Sequence, residues 1–368
     1  MSLAIVGLGT ALPDTCITQA EAVKVAQVIC CRTERQAKLV PGLYRHSAIG
    51  TRYLSVPRQV VEDVLHGTRT SESVFLPSGA PDDRGPTAGQ RMAHYAREAG
   101  PLAVRAARRA LDRSRLPPHA ITHLVTVSCT GFSAPGVDIE LIRKLELPPT
   151  TQRTHVGFMG CHATINGLRV ARAFATADPG TRILVCAVEL CGLHFSYQWD
   201  PERVVANALF ADGAAAVITA PVAAAPTDAW RVEATGACLF PDSERAMTWN
   251  IGDHGFEMTL SAEVPGLIAR HLRGWLEDWL GDNGLALQGV ASWAVHPGGA
   301  RIVSAVAETL GLSAEAVRDS RAVLAEHGNM SSPTILFILE RLQARRAPRP
   351  CVALGFGPGL VAEAMLLR

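Results

Sequence analysis

The chain has 368 residues, 48% apolar and 19% charged, with a formal net charge of +1. This is an ordinary globular balance, with apolar material enough for two packed units or one large duplicated domain. The near-zero charge argues against a nucleic-acid partner, and no run approaches the roughly 18 apolar residues of a membrane span.

In chain order, the opening Met1-Ser-Leu-Ala-Ile-Val-Gly7 lacks the basic start and long apolar core of a signal peptide and reads as a first strand. Gly7-Leu-Gly9 is followed by Pro13 and lacks a third small residue, so no dinucleotide-binding turn is expected. Residues 76–89, rich in Pro, Gly and Asp, read as a surface loop and residues 99–111 as a helix. Strands are expected at 121–128, 183–188 and 214–219, with a helix after Cys161. Residues 221–228, rich in Ala and Pro, are the expected linker. Beyond it come a strand at 231–237, a helix at 264–280 and a strand at 292–295. Helices at 301–310 and 333–345 follow, then strands around Val352 and Val361. This alternation predicts an α/β fold in two halves, 1–220 and 221–368, of similar grammar but without a repeat by residue identity. The basic runs at 105–115 and 341–349 fall in helical segments and are expected to be solvated faces.

The nine cysteines are odd in number and scattered, several (Cys129, Cys186, Cys351) inside apolar strand-like runs, and no CxxC pair occurs. Neither a disulfide framework nor a zinc site follows, and a reducing cytoplasm is the expected location. One cysteine differs in context. Cys161, in Val156-Gly-Phe-Met-Gly-Cys161-His-Ala-Thr, sits between glycine and a helix. The unpaired N–H groups and partial positive charge of a helix N-terminus favour thiolate, although a buried thiol often simply packs. His296 ends an apolar strand ahead of Pro297-Gly298-Gly299, a turn that a ligand could approach closely. Asn329 lies in Glu326-His-Gly-Asn329-Met-Ser-Ser-Pro-Thr334, where helix capping is the competing explanation.

Taken together, Gly160-Cys161, Val295-His296-Pro-Gly-Gly299, Gly328-Asn329-Met-Ser-Ser332 and Gly355-Phe-Gly-Pro-Gly359 carry a resemblance over nearly the whole chain. Leu209-Phe210-Ala-Asp-Gly and Val264-Pro-Gly-Leu267 extend it. The order and spacing resemble those of type III polyketide synthases, the chalcone synthase-like branch of the thiolase superfamily. That resemblance implies a thiolase-like duplicated αβαβα layered fold and a homodimer. It implies CoA thioesters as substrates, an acyl-CoA starter and malonyl-CoA, with no resident cofactor or metal. Cys161 would carry the acyl chain, His296 would face its thiolate as an imidazolium, and His296 with Asn329 would donate to the thioester oxygen. Phe210 would be the aromatic gate, Ser331 would lie at the site, and Gly357 would shape the cavity wall through backbone alone. Arg52, Arg45 and Arg301 are candidate CoA phosphate contacts.

The chain also departs from plant members. Met258 stands where they have a second phenylalanine, Cys129 and Cys191 where they have threonine, and Trp249 where they have glycine. Ala134 stands where a methionine would reach into the partner subunit. These changes favour an aliphatic acyl starter, giving an alkylpyrone or alkylresorcinol. The alternatives are a condensing enzyme of fatty-acid initiation and a silent binding subunit on the same fold. A thiolase would need a second late cysteine, and Cys351 reads as structural.

Overall fold

Why the apolar runs are continuous rather than alternating is plain from the sheet they form: most of its strands are covered on both faces. The computed structural model describes residues 3–368. Its strands are β1 (Leu3–Ala11), β2 (Thr15–Thr18), β3 (Thr51–Leu54), β4 (His123–Ser128), β5 (Gln152–Gly157), β6 (Ile183–Leu190) and β7 (Asp212–Pro221). They continue with β8 (Trp230–Leu239), β9 (Met247–Gly252), β10 (Gly255–Leu260), β11 (Ser292–Val295), β12 (Cys351–Gly357) and β13 (Val361–Leu367). Met1 and Ser2, part of the expected first strand, lie outside the described residues.

Nine strands join in the order β11-β12-β13-β8-β1-β7-β6-β4-β5. The pairing of β1 with β8, Leu3 against Val232 and Ile5 against Trp230, links the two halves edge to edge. Each half repeats one scheme outward from that seam. An antiparallel neighbour comes first (β7 or β13), then another antiparallel strand (β6 or β12), then a parallel one (β4 or β11). The duplication that residue identity does not reveal is therefore explicit in topology.

Alternate residues of these strands build separate layers. Val125, Val185 and Ala353 face an inner core shared with helices Ala163–Ala177 and Thr334–Ala344. Leu124, Leu184 and Cys186 face outward onto helix Ala88–Ser114. Val352, Leu354 and Leu366 face outward onto helices Val264–Asp282 and Ala300–Leu310. Helix, half-sheet, central helices, half-sheet and helix make the expected αβαβα layering.

One expectation needs correction. The helix placed at 99–111 begins at Ala88, because Thr87 and Gln90 form a reciprocal capping box; Pro101 sits inside it without ending it. The expected linker, residues 221–228, does join the two halves, as a short connection from β7 to β8. Pro221 closes β7, Val222–Ala224 makes a 3-10 turn, and β8 starts at Trp230. Helices Gln19–Cys30, Glu34–Arg45, Arg58–His66 and Pro201–Leu209 and the hairpin β9–β10 were not expected; they pack over the sheet's open end and enclose the site.

Candidate active site

Cys161 lies on the 3-10 turn Gly160–His162 that runs from β5 into the central helix Ala163–Ala177. Gly160 holds φ +76°, and a Cβ there would meet Pro358 Cδ at 2.4 Å, so the turn demands glycine. The Gly160 N–H donates to Cys129 Sγ at 3.1 Å. Cys129 thus braces the nucleophile's turn.

Asn329 occupies the corresponding place in the second half, ahead of the central helix Thr334–Ala344. Its backbone bridges the gate segment: Asn329 N–H donates to Leu209 O and Ala211 N–H to Asn329 O, both at 2.9 Å. The Ser331 N–H donates to Asn329 Oδ1 at 2.8 Å, and both Oδ1 and Nδ2 of the amide lie 4.0 Å from Cys161 Sγ. His296 follows β11, its N–H donating to Leu354 O at 2.7 Å. Both ring nitrogens of this buried histidine are unpartnered. Cys161, His296 and Asn329 line one small cleft with Met247, Met258, Leu260 and Phe356.

Burial drives this pair toward uncharged forms. It pushes the Cys161 thiol up to about 11 against opposition from Ser331 and Asn329, and the His296 imidazolium down to about 3. Both shifts favour the uncharged thiol and the neutral imidazole, which line the same cleft without a hydrogen bond between them.

Met258 also lines a second, larger cavity, with about 1230 Å³ of space not filled by atoms, part of it open to solvent. Phe210, Trp249 and Cys191 share that wall, and the far side is Ile17, Val25, Ile29, Val60, Val64 and Phe75. Trp249 Nε1–H donates to Cys129 O at 2.7 Å, which pins the hairpin β9–β10 across the chamber. His194 stacks on Phe256 at 4.2 Å, donates to Thr130 O at 2.7 Å and accepts from Phe256 N–H at 2.9 Å. Burial pushes it down to about 3, so it serves as a neutral tie.

Other sequence candidates fall elsewhere. Arg52 is buried, bonds to protein oxygens through both terminal nitrogens and lines the larger cavity with its Nε free of a protein partner. Arg45 and Arg301 are exposed, Arg301 in the first turn of helix Ala300–Leu310. Gly357 is buried, and a Cβ there would lie 2.5 Å from His162 Nε2 and 2.8 Å from Met159 O, so the packing behind the nucleophile's turn requires glycine. Cys351 is buried in β12, as its apolar context implied.

Two buried groups near Cys161 had not been singled out. Glu189 accepts from Cys129 N–H at 2.9 Å, Thr130 Oγ1 at 2.7 Å and Ser332 Oγ at 2.6 Å. Desolvation outweighs those donors and raises it to about 7. An acid inside the apolar run Ile183–Leu190 was its only visible signal. His162 meets Asn166 Oδ1 at 2.8 Å, Asn166 Nδ2 donates to Glu363 Oε1 at 2.8 Å, and Glu363 pairs with Arg169. Among the described residues no helix is long and apolar enough to cross a membrane.

Known proteins resemble the chain throughout its length. Residues 2–224 match the family described as "Chalcone and stilbene synthases, N-terminal domain", and residues 232–368 match its C-terminal domain. The Mycobacterium tuberculosis protein "Alpha-pyrone synthesis polyketide synthase-like Pks18" is 34% identical over 371 residues, 98% of this chain and 90% of its own. The "1,3,6,8-tetrahydroxynaphthalene synthase" of Streptomyces peucetius subsp. caesius is 31% identical over 369 residues, 99% of this chain and 92% of its own. The crystal structure of PKS-I from the brown alga Ectocarpus siliculosus superposes with a TM-score of 0.91 at 35% identity, covering 100% of this chain and 99% of that one.

Proposed function

The chain belongs to the chalcone and stilbene synthase family, the type III polyketide synthases, and from that premise we propose that it extends an aliphatic acyl starter with malonyl-CoA and closes the product to an alkylpyrone or alkylresorcinol. As a member it is an acyltransferase that uses acyl-CoA and malonyl-CoA. The aliphatic reading rests on one observation: through Met258 the Cys161 cleft adjoins a large cavity in whose wall Ile, Val and Phe side chains outnumber the charged Arg52, Arg84, Arg203 and Glu257. The name of the mycobacterial relative, an α-pyrone synthesis enzyme, supports the same product class.

Cys161 is the nucleophile. His296 takes its proton, the thiolate attacks the starter thioester, and CoA thiol leaves as acyl-Cys161 forms. Malonyl-CoA then loses CO2, leaving an enolate whose oxygen lies between the Asn329 amide and the His296 ring. Two donors aimed where charge appears lower this barrier most effectively in a dry site. The enolate carbon attacks acyl-Cys161, forming the carbon–carbon bond and releasing the cysteine sulfur. Phe210, held beside Asn329, excludes water from the enolate.

The remaining expectations enter as parts of the same proposal. Residues 1–220 and 221–368 are the two halves, the first supplying Cys161 and the second His296 and Asn329. The enzyme works as a homodimer; the unpaired edge of β5, beside exposed Phe132 and Met159, suits self-association. Nine free thiols suit the cytoplasm.

The test is mass spectrometry of products from malonyl-CoA with a panel of acyl-CoA starters, short, long and aromatic, with Cys161→Ala as control. Pyrones or resorcinols from fatty acyl-CoA, absent with Cys161→Ala, are expected. Turnover of aromatic starters alone would falsify the aliphatic assignment. Val60→Phe, which fills the cavity, should lower kcat/KM for long-chain starters about tenfold and leave acetyl-CoA unaffected.

A further inference from the structure

Arg52 lines the larger cavity, and its surroundings define a further role for it. Its Nη1 donates to Asn207 O at 2.7 Å and Phe210 O at 3.1 Å, and its Nη2 to Ala208 O at 2.6 Å and Gln19 Oε1 at 2.5 Å. Three of these acceptors are the final carbonyls of helix Pro201–Leu209 and its C-cap, Phe210. Those carbonyls have no intrahelical partner, and they form the negative end of the helix dipole. None of the acceptors is a carboxylate. A buried guanidinium without a counter-ion is here neutralised by oriented backbone.

The same backbone segment holds Asn329. Leu209 O accepts from Asn329 N–H, and Ala211 N–H donates to Asn329 O. The other side of Asn329 is braced from the same strand: Gly50 N–H donates to Ala325 O at 2.8 Å and Thr51 Oγ1 to Glu326 O at 2.6 Å. Residues 50–52 therefore grip both flanks of Asn329, the preceding helix Arg318–His327 and the gate segment 207–211.

We infer that Arg52 is a positioning residue, whose fork fixes the gate segment and through it the aim of the Asn329 amide at the enolate oxygen. This rests on the reading of Asn329 as the enolate's donor. Lysine cannot replace it, because a single ammonium cannot span carbonyls that the planar fork meets together. The effect should be confined to steps that use Asn329. Starter transfer to Cys161 needs the thiol and His296, whereas decarboxylation needs the amide.

The experiment measures both steps in Arg52→Lys and Asn329→Ala: acyl-Cys161 formation by intact mass, and CO2 release from malonyl-CoA. Circular dichroism and Tm monitor folding. We expect Arg52→Lys to load starter at the wild-type rate, keep its KM for malonyl-CoA, and lose about ten- to a hundredfold in kcat for decarboxylation. If Arg52→Lys slows both steps equally, or neither, Arg52 holds only the fold and the inference is overturned. If Asn329→Ala itself decarboxylates normally, the underlying reading of Asn329 fails, and that result is separately visible. Should Arg52→Lys not fold, Gln19→Met, which removes one acceptor and leaves the three carbonyls, is read by the same two assays. It should slow decarboxylation several-fold with loading intact; wild-type rates in both assays overturn the inference.

Discussion

At the scale of single residues, the cleft combines a thiol and an imidazole that burial pushes toward their neutral forms with an amide 4.0 Å from the thiol sulfur. The thiol alone is a poor nucleophile near neutral pH, so His296 must accept its proton. Iodoacetamide alkylation of Cys161 at pH 7 should fall about a hundredfold in His296→Ala and then rise with pH toward about 11. An unchanged rate would place the base elsewhere. Cys161, His296 and Asn329 were legible in the sequence because each sits at an element boundary with glycine adjacent or, for His296, two residues on, a pattern that local chemistry leaves visible. The burial of Arg52 and of Glu189 was not legible in the sequence, for one shared reason. The sequence shows which residues are charged, but burial and carbonyl partners come from segments over a hundred residues away, such as Asn207 and Phe210 for Arg52.

At the scale of elements, the hairpin β9–β10 decides the shape of the chamber. Trp249 and Met258 are cross-strand partners, and the indole N–H reaches across to Cys129 O. Trp249→Gly removes both the bulk and the tether. The chamber should then admit a longer chain, with products at least one malonyl unit larger by mass spectrometry, at a stability cost of about 1–3 kcal/mol. An unchanged product distribution would mean that another wall limits length. Elements with a continuous apolar run were legible: β11 was placed at its observed residues, and helix Val264–Asp282 within two of its end. Others were masked. Helix Ala88–Ser114 carries Gly89, Gly100 and Pro101, breakers by propensity, and is retained because its apolar stripe packs on β1 and β7. The hairpin was hidden because its strands alternate weakly and gain their order from the chamber they close.

At the scale of the molecule, two similar half-sheets enclose two central helices, and the residues before those helices, Cys161 and Asn329, meet at the seam. Such an arrangement buries many titratable groups, and the sign of their combined effect on stability can be worked out. Burial holds His94, His155, His162, His194, His296 and His327 below the ordinary histidine value. Below pH about 6.5 the unfolded chain protonates them while the folded chain resists, so their contribution is present above that pH and is lost as pH falls. Glu189, raised to about 7, and Asp212, raised to about 6, act oppositely: their contribution is present at low pH and lost as pH rises through those values. Between pH 7 and pH 5, His194 and His296 lose about 2 kcal/mol each, and the two acids together regain about 3.5 kcal/mol, so the two sets nearly cancel in the wild type. Glu189→Gln removes the larger opposing contribution, so its guanidinium chloride midpoint should fall more between pH 7 and pH 5 than the wild-type midpoint does. An equal pH dependence in the two proteins would mean that Glu189 does not titrate in this range.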